Sequence, residues 1–335
     1  DAFADRILGV RREIAERLAN DPKLKDLVEL WDVEKFNGSA TLAENLFFAV
    51  PSDPEIPFEQ IPELAEVKEF LASTGLDKKL QAIGLQIAET MVELFANVTG
   101  DSGLLGTYSF ITQDDLPEFD RIVRIAKSEN QRPGLSDDDK ARLISLAFKL
   151  VPARHRLGIA TPELQDEIID ARMKFLDQVV NKGDTFLAID PGVYLPPLTI
   201  EDNLLFGRTR VDRRNARKTI DEVIRSVVEE TGLHELIIFA GFGYHVGVSG
   251  SRLSAHQRRR LALVRGLLKN AKVTILDDIG TGLGEEDKAL RAAIRECLKG
   301  KTLLFGSPNA ALIGEFDHSV VLDQGRIAAQ EVQHA

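Results

Sequence analysis

Residues 249–283 read SGSRLSAHQRRRLALVRGLLKNAKVTILDDIGTGL. A glycine between two serines comes first, then a basic-apolar run of helical composition. A short apolar segment follows and ends in two acids. Ser254 is placed to cap the helix that begins with Ala255-His256-Gln257, because a serine oxygen can accept from the first-turn N–H groups. A helix start of this kind is also an anion site, since its unpaired donors and its dipole point the same way. Lys272 to Leu276 (KVTIL) has the β-branched, apolar content of a buried strand. Asp277 and Asp278 then stand at the strand's carboxyl end, where open α/β sheets bind their ligands.

This stretch resembles the signature motif and Walker B strand of ATP-binding cassette (ABC) ATPases, in which Leu-Ser-Gly-Gly-Gln opens a helix rich in Arg, Leu and Ala and an apolar strand ends in Asp-Glu. Here the corresponding residues are Leu253-Ser254-Ala255-His256-Gln257 and Leu276-Asp277-Asp278. The resemblance implies that Ser254 and Gln257 contact a nucleotide held mainly by a second ABC ATPase protomer; His256, which replaces a family glycine, reads either as a protonated side chain that favours the same anion or as a surface histidine at a helix start. It implies that Asp277 helps hold Mg²⁺ on ATP, and that Asp278 occupies the place of the catalytic general base. A carboxylate beside a nucleotide's phosphates suits Mg²⁺, which prefers oxygen ligands.

Several positions depart from the family pattern. Asp278 is one methylene shorter than glutamate, and a misplacement near ~1 Å can cost about a hundredfold in rate. Ala255 and His256 replace two glycines, Gly284 stands where an aspartate is usual, and Pro308 stands where the switch histidine is usual. No Gly-x-x-x-x-Gly-Lys-[Ser/Thr] occurs: Gly300-Lys301-Thr302 follows a helical pattern and precedes a strand, the reverse of a P-loop, with Arg295 in place of the first glycine. The resemblance therefore implies an ATP-binding module whose phosphate cradle comes from elsewhere. The first residue is Asp1 rather than Met, which reads as a piece of a longer or processed protein.

Outward from this stretch, an internal repeat appears. Thr41-Leu-Ala-Glu-Asn45-Leu46-Phe-Phe48 matches Thr199-Ile-Glu-Asp-Asn203-Leu204-Leu-Phe206, and Thr74-Gly75-Leu76 recurs as Thr231-Gly232-Leu233 at almost the same offset. Two matches at nearly one offset point to duplication. ABC transporter domains have a similar Thr-x-x-Glu-Asn-Leu-Phe-Gly segment where their helical subdomain begins, and a branch of bacterial ABC transporters carries a long insertion there. Val320 to Ile327 (VVLDQGRI) likewise resembles the last hairpin of ABC domains.

The fold predicted is α/β: a partial P-loop NTPase (ABC-type) sheet over residues 186–335, with a large, mostly helical insertion over 1–185. Residues 1–30 read as helical, 186–189 and 302–305 as strands, 83–98, 164–180 and 286–298 as helices, and alternating strands and helices predict a largely parallel sheet. Asp137, Asp138 and Asp139 read as a solvated first turn of a helix. Arg208 to Lys218 has six basic residues in eleven; it reads as a solvated helix start, or as a surface facing anionic lipid or an acidic coupling helix.

The 335 residues carry a net charge of -11, which argues against general nucleic-acid affinity. No stretch approaches the length and apolarity of a membrane span. The lone Cys297 suits a reducing compartment and reads as a packed, inert thiol. The six histidines show no metal-ligand spacing. The resemblance, with these compositional bounds, implies a nucleotide-binding part of an ABC transporter at the cytoplasmic face of a membrane, partnered by a second ABC ATPase protomer and a transmembrane domain. A catalytically degenerate ABC-like module acting in assembly or regulation is the alternative, and a soluble ABC-type ATPase acting on nucleic acid is a second.

Overall fold

The computed structural model describes residues 2–95, 111, 114–128, 134–277, 286–307 and 315–332. The chain forms two compact units, Asp1–Ala240 and Gly241–Ala335. It is a mixed α/β molecule, mostly helical, with small sheets.

In the first unit, helix α1 (Ala2–Asn20) buries Ile7, Val10, Ile14 and Leu18, the apolar stripe its sequence predicts. The helix stops at Asn20, and residues 28–30 are strand β1 rather than more helix. Local pattern misreads this stretch because β1 (Val28–Leu30) pairs antiparallel with β4 (Gly207–Thr209), far away in sequence. Between them in sequence come α2 (Leu42–Phe47), β2 (Ala49–Pro51), α3 (Ala65–Thr74), α4 (Leu76–Phe95), α5 (Leu116–Lys127), α6 (Asp137–Phe148), α7 (Pro152–His155), α8 (Pro162–Phe175), β3 (Phe186–Ala188) and α9 (Ile200–Leu205). Strand β2 pairs antiparallel with β3.

The two repeat copies are α2–β2 and α9–β4, and their partners are exchanged. Helix α1 packs on α9 of the second copy, and α8 packs on α2 of the first. One large core holds the first copy together with α3 to α6 and α8. A separate core holds the second copy with α1 and α10 (Ala216–Glu230). Gly75 and Gly232, the second repeat match, both end turns at positive φ (72° and 69°), where glycine alone is unstrained.

The large core is made of helix pairs. Leu80, Ile83, Ile87 and Met91 of α4 are buried, whereas Leu94, expected in the same stripe, is exposed. Helices α4 and α6 cross in backbone contact at Gly84, where any side chain would meet the carbonyl of Leu143. Ser136 caps α6, and its partner in the capping box, Asp139, is buried and ion-paired with Arg121. Of the three aspartates read as a solvated turn, only Asp137 and Asp138 are so placed.

The second unit begins at the end of α11 (Leu233–Gly241). It holds α12 (Ala255–Leu268), β5 (Val273–Asp277), α13 (Glu286–Cys297), β6 (Thr302–Gly306), β7 (His318–Asp323) and β8 (Arg326–Val332). Strands β5 and β6 are parallel, and β7 and β8 form the hairpin that Asp323-Gln324-Gly325 predicts. The parallel sheet expected from the alternating pattern is thus one pair of strands. Among the described residues the other three sheets are antiparallel pairs. Among the described residues its core is small: Leu263, Leu276, Ile294 and Leu298. Strand β5 buries Thr274 and Leu276 but exposes Val273 and Ile275, so it is covered on one face and not on two. Cys297, expected to be packed, is exposed. It lies on α13 beside Glu296, away from the face that carries Ile294 and Leu298.

Candidate functional site

Gly247, Ser249 and Gly250 all have positive φ (75°, 52° and 74°), which folds residues 247–253 into a tight loop. The loop is held by Arg258, whose Nη1 donates to the carbonyls of Leu253 (2.6 Å) and Gly250 (3.2 Å). Any side chain at 250 would press on the Arg258 stem at 3.2 Å. Ser254 emerges from this loop with extended backbone and caps α12. Its Oγ accepts from the Gln257 N–H at 3.1 Å, and Gln257 Oε1 accepts from the Ser254 N–H at 2.8 Å. This is a reciprocal capping box.

That cap occupies two donors. The N–H groups of Ala255 and His256 belong to the first turn and have no acceptor within the helix. There is no acidic residue in that turn. Ser254, Ala255, His256 and Gln257 are all exposed. The result is an electropositive helix end with free donors, open to a partner.

Asp277 closes β5 in register with Gly306 of β6, and its side chain is exposed. Its Oδ1 lies 2.8 Å from the place a Cβ at position 306 would take, so a side chain there would displace the carboxylate. Among the described residues no hydrogen bond or ion pair joins Ser254, His256 or Gln257 to Asp277, and no cluster of metal-ligating side chains is found. Asp278, Gly284 and Pro308, together with the turn at 99–106 and part of the loop at 131–139, lie outside the described residues.

The basic segment 208–218 turns out to be used internally in part. Arg208 pairs with Glu44 and Asp202, Arg210 with Asp212, and Arg217 with Glu201 and Asp221.

Sequence reading missed the groups that hold the repeat. Arg172 of α8 is fully buried. Its Nε donates to the Asn45 carbonyl (2.6 Å), its Nη2 to Asn45 Oδ1 (3.2 Å), and its Nη1 to the carbonyls of Val33 (2.7 Å) and Lys35 (2.9 Å). Its guanidinium lies 4.9 Å from the centre of the Phe48 ring. Arg11 of α1 does the same for the second copy. Its Nε donates to the Asn203 carbonyl (2.6 Å), its Nη2 to Asn203 Oδ1 (3.1 Å), and its Nη1 to Pro191 (2.7 Å) and Val193 (3.1 Å) carbonyls, 4.8 Å from the Phe206 ring.

Each asparagine bridges its own turn. Asn45 accepts from the Asn37 N–H and donates to the carbonyls of Asn37 and Thr41, and Asn203 does likewise with Leu195 and Thr199. Burial pulls both arginines below their ordinary range, Arg172 to about 10, against the raising effect of Asp32 on Arg172 and Asp190 on Arg11. The legible signal was a charged residue inside an apolar stripe, in Ile7-x-x-Val10-Arg11-x-x-Ile14 and Ile168-x-x-Ala171-Arg172-x-x-Phe175.

Comparison with known proteins gives one consistent class. About two-fifths of the chain is similar to ABC transporters. It is 34% identical over 139 residues to the ABC multidrug transporter MDR2 of Trichophyton interdigitale, which is 41% of this chain and 10% of that protein. It is 33% identical over 132 residues to the ATP-dependent lipid A-core flippase of Saccharophagus degradans, 38% of this chain and 21% of that protein. It is 31% identical over 130 residues to an ABC transporter of Fusarium pseudograminearum, 38% of this chain and 10% of that protein. The matched stretch spans under a quarter of the length of these relatives. No protein-family profile matches the chain. No solved structure matches it. No helix among the described residues is long and apolar enough to cross a membrane.

Proposed function

We propose that residues 186–335 are the signature-bearing portion of an ABC-type, P-loop NTPase nucleotide-binding domain, and that residues 1–185 are a helical region inserted into it. The module binds ATP at an interface with a second ABC ATPase protomer and passes that event to a transmembrane transport domain, at the cytoplasmic face of a membrane. Ser254, His256 and Gln257 address the triphosphate of a nucleotide seated on the P-loop of another polypeptide or of sequence outside residues 1–335. Asp277 is the Mg²⁺ ligand, and Asp278 holds the general-base position.

The observation that carries this reading is the open end of α12. An exposed, capped helix start with two unpaired N–H groups and no acid in its first turn meets an anion without reorganisation. It sits in a chain whose similarity is to ABC transporters. The exposed carboxylate at the end of β5 is the matching feature on the sheet. A transition state of phosphoryl transfer is stabilised by such positioned donors and cations, with little covalent work by the protein.

The test is association with an ABC ATPase protomer that has an intact Gly-x-x-x-x-Gly-Lys-[Ser/Thr], followed by sedimentation with and without Mg-ATP. Ser254→Ala is expected to weaken ATP-driven association by about tenfold, the equivalent of one charge-assisted contact. Unchanged association at saturating ATP overturns the assignment of Ser254. Residues 1–335 alone are expected to show no sub-micromolar ATP binding by calorimetry, because they contain no P-loop motif.

A further inference from the structure

The two repeat copies sit in separate apolar cores, yet one side chain reaches both. Arg208 of β4 donates from Nε to Glu44 Oε1 at 2.9 Å and also from Nη2 to the same oxygen, while its Nη1 pairs with Asp202. Its guanidinium carbon lies 5.4 Å from the centre of the Trp31 ring. Arg208, Glu44 and Asp202 are each about a quarter exposed (27%, 25% and 28%). Glu44 and Asp202 are equivalent residues of the two copies, and each already serves its own helix. Glu44 Oε2 accepts from the Thr41 N–H and hydroxyl (2.8 and 2.9 Å), and Asp202 Oδ2 accepts from the Thr199 hydroxyl (2.7 Å).

We propose that Arg208 is a coupling residue: it makes the capping of one copy depend on the state of the other, and so ties the helical insertion to the segment that leads into the second unit. A guanidinium is a rigid planar fork. When one carboxylate withdraws, the fork shifts with its remaining partner and its geometry toward both changes. The first copy has no counterpart of this arginine, because the position equivalent to Arg208 there is Val50. Two carboxylates therefore share one cation and compete for its fork, so losing either strengthens the other's hold on it. The first copy belongs to the large helical core and the second to the core of α1 and α10, so this polar link carries information between them. A small apolar cluster around Phe48, Ile189 and Leu195 is the rival route.

The experiment is hydrogen exchange, read peptide by peptide, on the whole chain in four forms: unaltered, Glu44→Gln, Arg208→Gln, and both together. Glutamine still completes a capping box, so Glu44→Gln leaves its own helix nearly intact. The expected result is that Glu44→Gln slows exchange across residues 200–206 by about fivefold, the scale of coupling within one polar network, because Asp202 then holds the fork alone. In the Arg208→Gln background, Glu44→Gln adds nothing further at 200–206. A change confined to residues 41–48 overturns the proposal. So does a change at 200–206 that persists without Arg208, because the apolar cluster would then carry the coupling. If Arg208→Gln does not fold, Asp202→Asn read at residues 42–47 with Arg208 intact is the reciprocal test: slower exchange there supports the proposal, and unchanged or faster exchange refutes it.

Discussion

The two repeat copies have the same skeleton and different turns. Both have a threonine cap, a bridging asparagine, a phenylalanine at positive φ (45° and 47°) and a buried arginine from the exchanged half. In the first copy the turn before the helix is Asn37-Gly38-Ser39, and the Gly38 and Ser39 N–H groups donate to the Glu29 carboxylate (3.0 and 3.2 Å). In the second copy the turn is Leu195-Pro196-Pro197, where the prolines have no N–H to donate. The bend is therefore set by the arginine and asparagine network, and the turn chemistry is free to vary. A fully buried arginine without a hydrogen-bonded carboxylate is tolerated because carbonyl oxygens and an aromatic face surround it.

This comparison can be broken most forcefully at the arginines. Arg172→Ala is expected to cost about 4 kcal/mol, since it strands several buried carbonyls in the large core. Arg11→Ala is expected to cost about 3 kcal/mol in the smaller one. Urea unfolding followed by circular dichroism measures both. Equal and small losses, under about 1 kcal/mol, would show that the copies do not depend on these clamps.

The next effect separates the copies by pH. Only the first turn leans on α7: the Ala153 N–H donates to the Gly38 carbonyl, and the Val151 N–H donates to His155 Nδ1. Burial, with help from Arg154, lowers His155 to about 4. The unfolded chain takes up a proton near 6.5 and the folded chain does not, so stability is fully present above that value. It is lost as pH falls from about 6.5 to about 4, by on the order of 2 kcal/mol. His155→Gln is expected to flatten that slope in thermal melts. An unchanged slope would move the effect to another group.

Smaller effects sharpen the contrast. Glu29→Gln is expected to cost about 1 kcal/mol and to loosen only residues 37–41, by hydrogen exchange. Thr41→Ala and Thr199→Ala are each expected to cost about 1 kcal/mol. Thr41 should cost the more, because its backbone N–H as well as its hydroxyl is bound by the N3 side chain, whereas Asp202 is bonded to the Thr199 hydroxyl. Equal losses would mean that the reciprocal half of the capping box contributes nothing here.

The second unit differs from the first in being thinly covered. It exposes Val273, Ile275 and Leu304 on its parallel strands, and Phe242, Tyr244 and Val248 before and within the loop at 247–253. An α/β sheet of this kind is normally covered on both faces. Among the described residues, the unit's core of four buried side chains is small for the strands it carries.

Residues alone determined the local features. The Ser254 cap, the β5 and β6 segments and the last hairpin follow from short-range spacing, because caps, turns and periodic stripes are decided by neighbours a few positions away, and the duplication follows from two matches at nearly one offset. The tertiary structure decided the rest. That residues 28–30 are a strand depends on Gly207–Thr209. That Arg11 and Arg172 are clamps depends on halves exchanging their helices, and that Arg208 spans both copies depends on Glu44 meeting Asp202. Each of these is a contact between groups over a hundred residues apart, or an arginine whose partners are backbone carbonyls, and neither leaves a periodic trace in the chain.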